Sequence, residues 1–214
     1  MKYHKIPDEA VRRLPFYLRG LLTLSGRGCK SISSRDLADL LGFSHWQIRK
    51  DFSYFGSFGT PGTGYDIEKL IKQIRKILKL EVVRKAALVG VGNLGLAVLR
   101  YPGFQVYGFE ITAAFDNNPK KIGRKVEDIT IENVSGLCGL KKRGIDFGVV
   151  TVPCEAAQQT FDALVAAGVK GILSFSPCQK TGREKVKVIT IDIAMDLVRL
   201  PYYTPANSNR AKSR

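Results

Sequence analysis

Six residues, Gly90-Val91-Gly92-Asn93-Leu94-Gly95, constrain this chain more than any others. They follow the apolar run Ala86-Ala87-Leu88-Val89 and lead into Leu94 to Leu99, so a buried strand is expected to turn directly into a helix. In that setting each glycine has a separate task. Gly90 permits the tight turn, Gly92 lets a pyrophosphate approach the backbone, and Gly95 lets the helix pack closely on the sheet. The phosphates would then meet free N–H groups and the positive end of the helix dipole. An acid is expected at the end of the next strand. Asp116 closes Ile111-Thr112-Ala113-Ala114-Phe115-Asp116, with Tyr101 to Gly108 inserted ahead of it. A carboxylate there accepts hydrogen bonds from the adenosine ribose and disfavours a 2′-phosphate, which favours NAD(H) over NADP(H). Lys120, Lys121 and Arg124 lie close by and act in the opposite sense.

The rest of the second half alternates strand and helix patterns. Strands are expected over 86–91, 111–115, 146–152, 169–175 and 186–191, with helices over 93–100 and 155–167. Alternation of this kind implies an α/β domain with a parallel sheet and right-handed crossovers.

The first half has another character. Apolar residues at Val11, Leu14, Leu18, Leu21 and Leu22 follow helical spacing, with a break or a second start expected at Pro15. Ser33 or Ser34 caps a helix with Leu37, Leu40 and Leu41 on its apolar face, which Gly42 ends. Ser44 and Gln47 form a capping box that opens another helix, with Ile48 and Phe52 as its buried pair. Two capped helices across a short glycine turn make a helix-turn-helix. On the second helix His45, Gln47, Arg49, Lys50, Ser53 and Tyr54 are left outward. Gln can read adenine and Arg guanine bidentately, while Lys50, Ser53 and Tyr54 suit phosphate contacts. Trp46 is expected in the core or at a domain interface. Four glycines between residues 56 and 64 suit a hairpin, which in this position would be a wing. An amphipathic helix over 67–80 closes this segment, and a hinge is expected near 78–84.

Composition narrows the classes. A net charge of +15, divided almost evenly at Leu80, points to a polyanionic partner. No apolar run is long enough to span a bilayer, and the first seven residues lack a signal-peptide pattern, so a soluble cytoplasmic protein is expected. The cysteines, Cys29, Cys138, Cys154 and Cys178, form no CxxC pair, and no metal is expected. The rival to a nucleic-acid-binding protein is an NAD-dependent oxidoreductase. Only about 20 residues follow the last strand, which leaves no substrate domain, and His4 and His45 both precede the α/β segment. Tyr65 and Lys69, a Tyr-x-x-x-Lys pair, also lie outside it.

Several stretches resemble the Rex family of redox-sensing transcriptional repressors. They are residues 13–19 (RLPFYLR), 47–56 (QIRKDFSYFG), 89–95 (VGVGNLG), 151–153 with 155–158 (TVP and EAAQ), and 168–173 (GVKGIL). The resemblance implies a homodimer with a winged helix-turn-helix domain over 1–80, a Rossmann domain over 81–191, and a C-terminal dimerisation helix and polar tail over 192–214. It implies repression of transcription on palindromic double-stranded operator DNA at low NADH, release by NADH, and no enzymatic activity. It places Gly90 to Gly95, Tyr101, Asp116, Thr151, Val152, Pro153 and Asp192 at the NADH or NAD+ site, with Arg19 as an interdomain partner of Asp192. It places Ser44, His45, Gln47, Arg49, Lys50, Ser53, Tyr54 and Gly56 at DNA. The chain carries Thr60-Pro61 where the wing of relatives often has Lys or Arg, and Ser174 where asparagine is usual.

Overall fold

The computed structural model describes residues 6–56, 58–59, 64–176 and 186–204. The chain divides into two compact units, 1–82 and 83–214.

The first unit is built on helix α1 (Asp8–Gly26), which runs unbroken through Pro15. A mid-helix proline removes one hydrogen bond at a cost of about 3 kcal/mol. Pro15 lies on the exposed side, while Ala10, Leu14, Tyr17, Leu18 and Leu21 are buried on the other. Each fully buried large side chain contributes about 1.5–3 kcal/mol, so packing outweighs the proline and no break forms. The buried stripe leaves Val11 outside, contrary to its expected place in the apolar face.

Strand β1 (Ser31–Ile32) precedes α2 (Ser34–Leu41). Ser33 caps α2 by accepting from the Asp36 N–H, and Gly42 ends it in the left-handed region at φ 70°. Leu37 and Ala38 face the core, whereas Leu40, expected there, is exposed. Helix α3 (His45–Ser53) begins at Ser44, whose Oγ accepts from the Gln47 N–H at 3.1 Å. A serine cap of this kind is worth about 1 kcal/mol. Strand β2 (Tyr65–Asp66) pairs antiparallel with β1, and α4 (Ile67–Ile77) buries Ile67, Leu70, Ile71 and Ile74. The turn of the expected wing, residues 60–63, lies outside the described residues.

The second unit opens with β3 (Arg84–Val89), α5 (Asn93–Leu99), α6 (Gly103–Val106) and β4 (Phe109–Asp116). Next come β5 (Lys125–Val126), β6 (Ile129–Asn133), a 3-10 turn over Val134–Gly139, β7 (Phe147–Val150) and α7 (Cys154–Ala166). Strands β8 (Gly171–Ser174) and β9 (Lys187–Thr190) and helix α8 (Ile193–Tyr203) complete it. The sheet order is β5-β6-β4-β3-β7-β8-β9, parallel except for the β5–β6 edge pair. Its six parallel strands follow the 3-2-1-4-5-6 order of dinucleotide-binding sheets. Along β3, Ala87 and Val89 join one core with Phe115, Val150, Phe161 and Leu164, while Ala86 and Leu88 join another with Val98, Ala114 and Val149. Burial on both faces is why β3 reads as a continuous apolar run. On α8, by contrast, Ile193, Met195, Leu197, Val198, Leu200, Tyr202 and Tyr203 are all exposed.

Candidate DNA-binding helix and dinucleotide cleft

The first unit presents α3 on a buried polar clamp. Asp51 is 0% exposed. Its carboxylate accepts from Arg13 Nε at 2.6 Å and Nη2 at 2.9 Å, from the Tyr17 hydroxyl at 2.5 Å, and from Gln47 Nε2 at 2.8 Å. Burial alone would push this carboxyl up. The hydrogen bonds from Arg13, Tyr17 and Gln47 outweigh it and hold the group below the usual carboxylate range. Burial, together with the bond to Asp51, pushes the Tyr17 hydroxyl well above its ordinary value. The clamp ties α1 to α3 and fixes the rotation of α3.

That rotation corrects the reading of Gln47. Its side chain is half-buried, not outward: the amide donates to Asp51, and this bond is not the second arm of a capping box. The outward stripe is Trp46, Arg49, Lys50 and Ser53, at the i, i+3, i+4, i+7 spacing of one helical face. Trp46 is 68% exposed and so lies outside the core, one of its two expected places. Its ring lies 5.0 Å from His45, and the Arg49 guanidinium sits over it at 5.6 Å. Ser53 Oγ donates to the Lys50 carbonyl at 2.7 Å. Ser44 and Gly56 are exposed, while His45 and Tyr54 are half-buried. Arg19, on α1, has its guanidinium 5.5 Å from the Phe16 ring centre.

In the second unit a cleft of about 860 Å³ opens at the C-terminal ends of β3, β4, β6 and β7. This is where the strand order reverses, between β3 and β7, the place at which open α/β sheets hold ligands. Gly90, Gly92, Asn93, Leu94, Asp116, Thr151, Val152 and Pro153 all line it. Gly90 has φ 97°, and a Cβ there would lie 2.8 Å from Val152 Cγ1. A Cβ on Gly95 would strike the Gly90 carbonyl oxygen, whereas one on Gly92 would meet only open space. The three glycines thus divide into turn, open approach and helix contact. The Thr151 hydroxyl donates to the Gly90 carbonyl at 2.6 Å and holds the turn against β7.

Asp116 is 5% exposed and largely committed within the protein. Its carboxylate accepts from the Val91 N–H at 2.8 Å, the Asn118 N–H at 2.8 Å and Lys121 Nζ at 3.0 Å. Burial opposes the charge, but the Asn118, Lys121 and Val91 donors together hold this carboxyl below its ordinary value. The Val91 N–H is therefore taken and is not one of the free donors expected for phosphate. Of the three ammonium and guanidinium groups expected nearby, Lys121 is the one that lines the cleft.

Spacing did not single out several lining residues. Asn117, Asn118, Asn133, Val134, Leu137, Gln159 and Ala163 are among them, the asparagines at strand ends and the others on the 3-10 turn and α7. The asparagines after Asp116 and at the end of β6 were the available signal, because strand C-termini converge on the cleft. Tyr101 and Asp192 are not among its described lining residues. Tyr101 lines a separate depression of about 450 Å³ with Phe104 and Glu127. Asp192 caps α8, accepting from the Ala194 and Met195 N–H groups at 3.1 and 3.3 Å. Ser174 is buried and donates to the Ser176 carbonyl at 2.6 Å. Among the described residues, no group of His, Cys, Asp and Glu could hold a metal ion, and no helix is long and apolar enough to cross a membrane.

Comparison with known proteins agrees with both halves of this geometry. Residues 83–178 match the family model "CoA binding domain", and residues 5–53 match "Putative DNA-binding protein N-terminus". The redox-sensing transcriptional repressor Rex of Chloroflexus aurantiacus is 43% identical over 198 residues, covering 92% of this chain and 93% of the relative. A crystal structure of RSP, a Rex-family repressor, in complex with β-NAD+ and operator DNA superposes with a TM-score of 0.87 at 34% identity, over 93% of this chain and 92% of RSP. RSP in complex with β-NADH gives 0.83 at 33% identity, over 92% and 93%. A likeness that runs through the clamped helix and the dinucleotide cleft alike settles the family: this chain belongs to the Rex redox-sensing transcriptional repressors.

Proposed function

We propose that the chain represses transcription by sensing the NADH/NAD+ ratio. It binds double-stranded operator DNA as a homodimer when NADH is low and leaves it when NADH binds. The observation that carries this reading is the union, in one chain, of a cationic outward helix and a dinucleotide cleft at the sheet's switch point. RSP, similar over nearly its whole length, has been captured with operator DNA and β-NAD+ and separately with β-NADH.

In this reading residues 1–80 bind DNA, 81–191 bind NAD(H), and 192–214 supply dimer contacts. The exposed apolar residues of α8 give that helix a reason to seek a partner subunit, because a face of this size is unfavourable in water. Gly90 to Gly95 hold the pyrophosphate, with Thr151 to Pro153 beside it. Tyr101 and Asp192 take the nicotinamide end, and Arg19 couples it to the DNA-binding unit. Asp116 orders the loop through Val91 while facing the ribose.

A ligand moves the protein off DNA only if it binds the released form more tightly than the bound form. The reduced nicotinamide ring is neutral and the oxidised ring is cationic, and this one charge is the difference available to the pocket. NADH closes the dimer and misplaces the two recognition helices on a two-fold operator. The protein acts in the cytoplasm and has no catalytic role.

The test pairs two measurements on the full chain. Calorimetry should show NADH binding, and selection from random duplexes should return a palindrome. Steady NADH oxidation with small carbonyl substrates would instead revive the oxidoreductase reading.

A further inference from the structure

The inward turn of Gln47 leaves position 46 as the first outward residue of α3, and it is occupied by tryptophan. We propose that Trp46 is a base-reading residue of this repressor. Its indole packs on the 5-methyl group of a thymine in each half-site and orients Arg49 onto a neighbouring guanine. The inference rests on the repressor reading above and deepens it.

Trp46 is the second residue of a capped helix, 68% exposed, with His45 and Arg49 against its ring. The N-terminal turn of a recognition helix is the part that meets base edges. The charge around it is complementary to DNA. Arg49 and Lys50 share the stripe, and the acid on this helix, Asp51, is buried and matched by Arg13. An anionic surface with one apolar feature is therefore the fitting occupant. The major groove offers one apolar group, the thymine methyl.

Arg49 follows one turn later. Three residues of helix rise about 4.5 Å, against about 3.4 Å between base pairs, so the two side chains address neighbouring pairs. Stacking over the indole restricts the guanidinium before DNA arrives, which favours the bidentate guanine contact.

Replacing thymine by deoxyuridine removes the methyl and leaves the protein intact. The probes are duplexes selected by the wild-type full chain, with each invariant thymine changed in turn. At one thymine per half-site, affinity falls about fourfold, the value for one buried methyl-sized group. Trp46→Ala binds more weakly, no longer responds to that change and relaxes the preference for the adjacent guanine. Trp46→Phe keeps the response. Trp46 is the sole tryptophan, so its emission reports its own surroundings and changes when operator is added.

Equal affinity of wild-type protein for thymine and deoxyuridine duplexes overturns the proposal, as does unchanged emission on operator binding. A wild-type chain that selects no duplex defeats the repressor reading itself, a result distinct from binding that ignores Trp46.

Discussion

The Asp116 carboxylate accepts a hydrogen bond from the Val91 N–H at 2.8 Å, tying the end of β4 to the turn after β3. The acid expected to face the ribose thus also shapes the loop expected to hold the phosphates. Replacing it by alanine breaks that tie and releases Lys121. NADH affinity should fall about ten- to hundredfold, the range for losing charge-assisted hydrogen bonds. The preference for NADH over NADPH should narrow as the freed ammonium meets a 2′-phosphate. Calorimetric titration of both nucleotides measures this, and unchanged affinity for both would remove Asp116 from the site.

Glycines 92 and 95 should fail differently. Gly95→Ala places a methyl against the Gly90 backbone, which cannot yield cheaply. Overpacking of this kind costs about 1–3 kcal/mol, and the apo protein should melt earlier. Gly92→Ala meets open space, so the apo melting temperature should hold while stabilisation by NADH shrinks. Thermal shift with and without NADH separates the two.

Asp51→Asn should cost about 3–5 kcal/mol, toward the lower end because Arg13 keeps some solvent access. The variant leaves the Arg13 guanidinium without its charge partner. Chemical denaturation followed by circular dichroism measures the loss. Operator affinity should fall with it, since the same clamp sets the rotation of α3.

The clamp also fixes the sign of the pH dependence. Asp51 titrates below its unfolded value, so its contribution is present above about pH 4 and lost as pH falls through the lower folded value. Tyr17 titrates above its unfolded value, so its contribution is full below about pH 10 and lost as pH rises through the higher folded value. Urea midpoints across pH should fall at both ends for the wild type. Asp51→Asn should flatten the acid limb.

Leu197→Asp with Leu200→Asp places charge on the exposed apolar side of α8. Sedimentation should show a shift from dimer to monomer, and operator affinity should drop because two half-sites are no longer held together. A variant that stays dimeric would assign the dimer contact elsewhere.

Local patterns carried much of this fold, and tertiary contacts account for where they failed. The glycine loop, Asp116 and the central strands stand out because burial on both sheet faces leaves apolar runs. Strand β5 is two residues long at the sheet edge, and β6 alternates apolar and polar residues, so neither shows as an apolar run. Pro15 signalled a break by a local rule, and packing of Leu14, Tyr17 and Leu18 overrode it. Gln47 matched a capping box by spacing, yet Arg13 and Tyr17, more than thirty residues away, hold Asp51 where it captures the amide. The Val91 N–H, twenty-five residues from Asp116, meets it because β3 and β4 lie side by side in the sheet.

The central claim is that the oxidation state of the nicotinamide decides whether the protein stays on DNA. The most direct measurement is operator affinity of the full chain in saturating NADH and in saturating NAD+, read by fluorescence anisotropy of a labelled duplex. The account predicts retention of the duplex with NAD+ and release with NADH. Equal affinity with both nucleotides would contradict it.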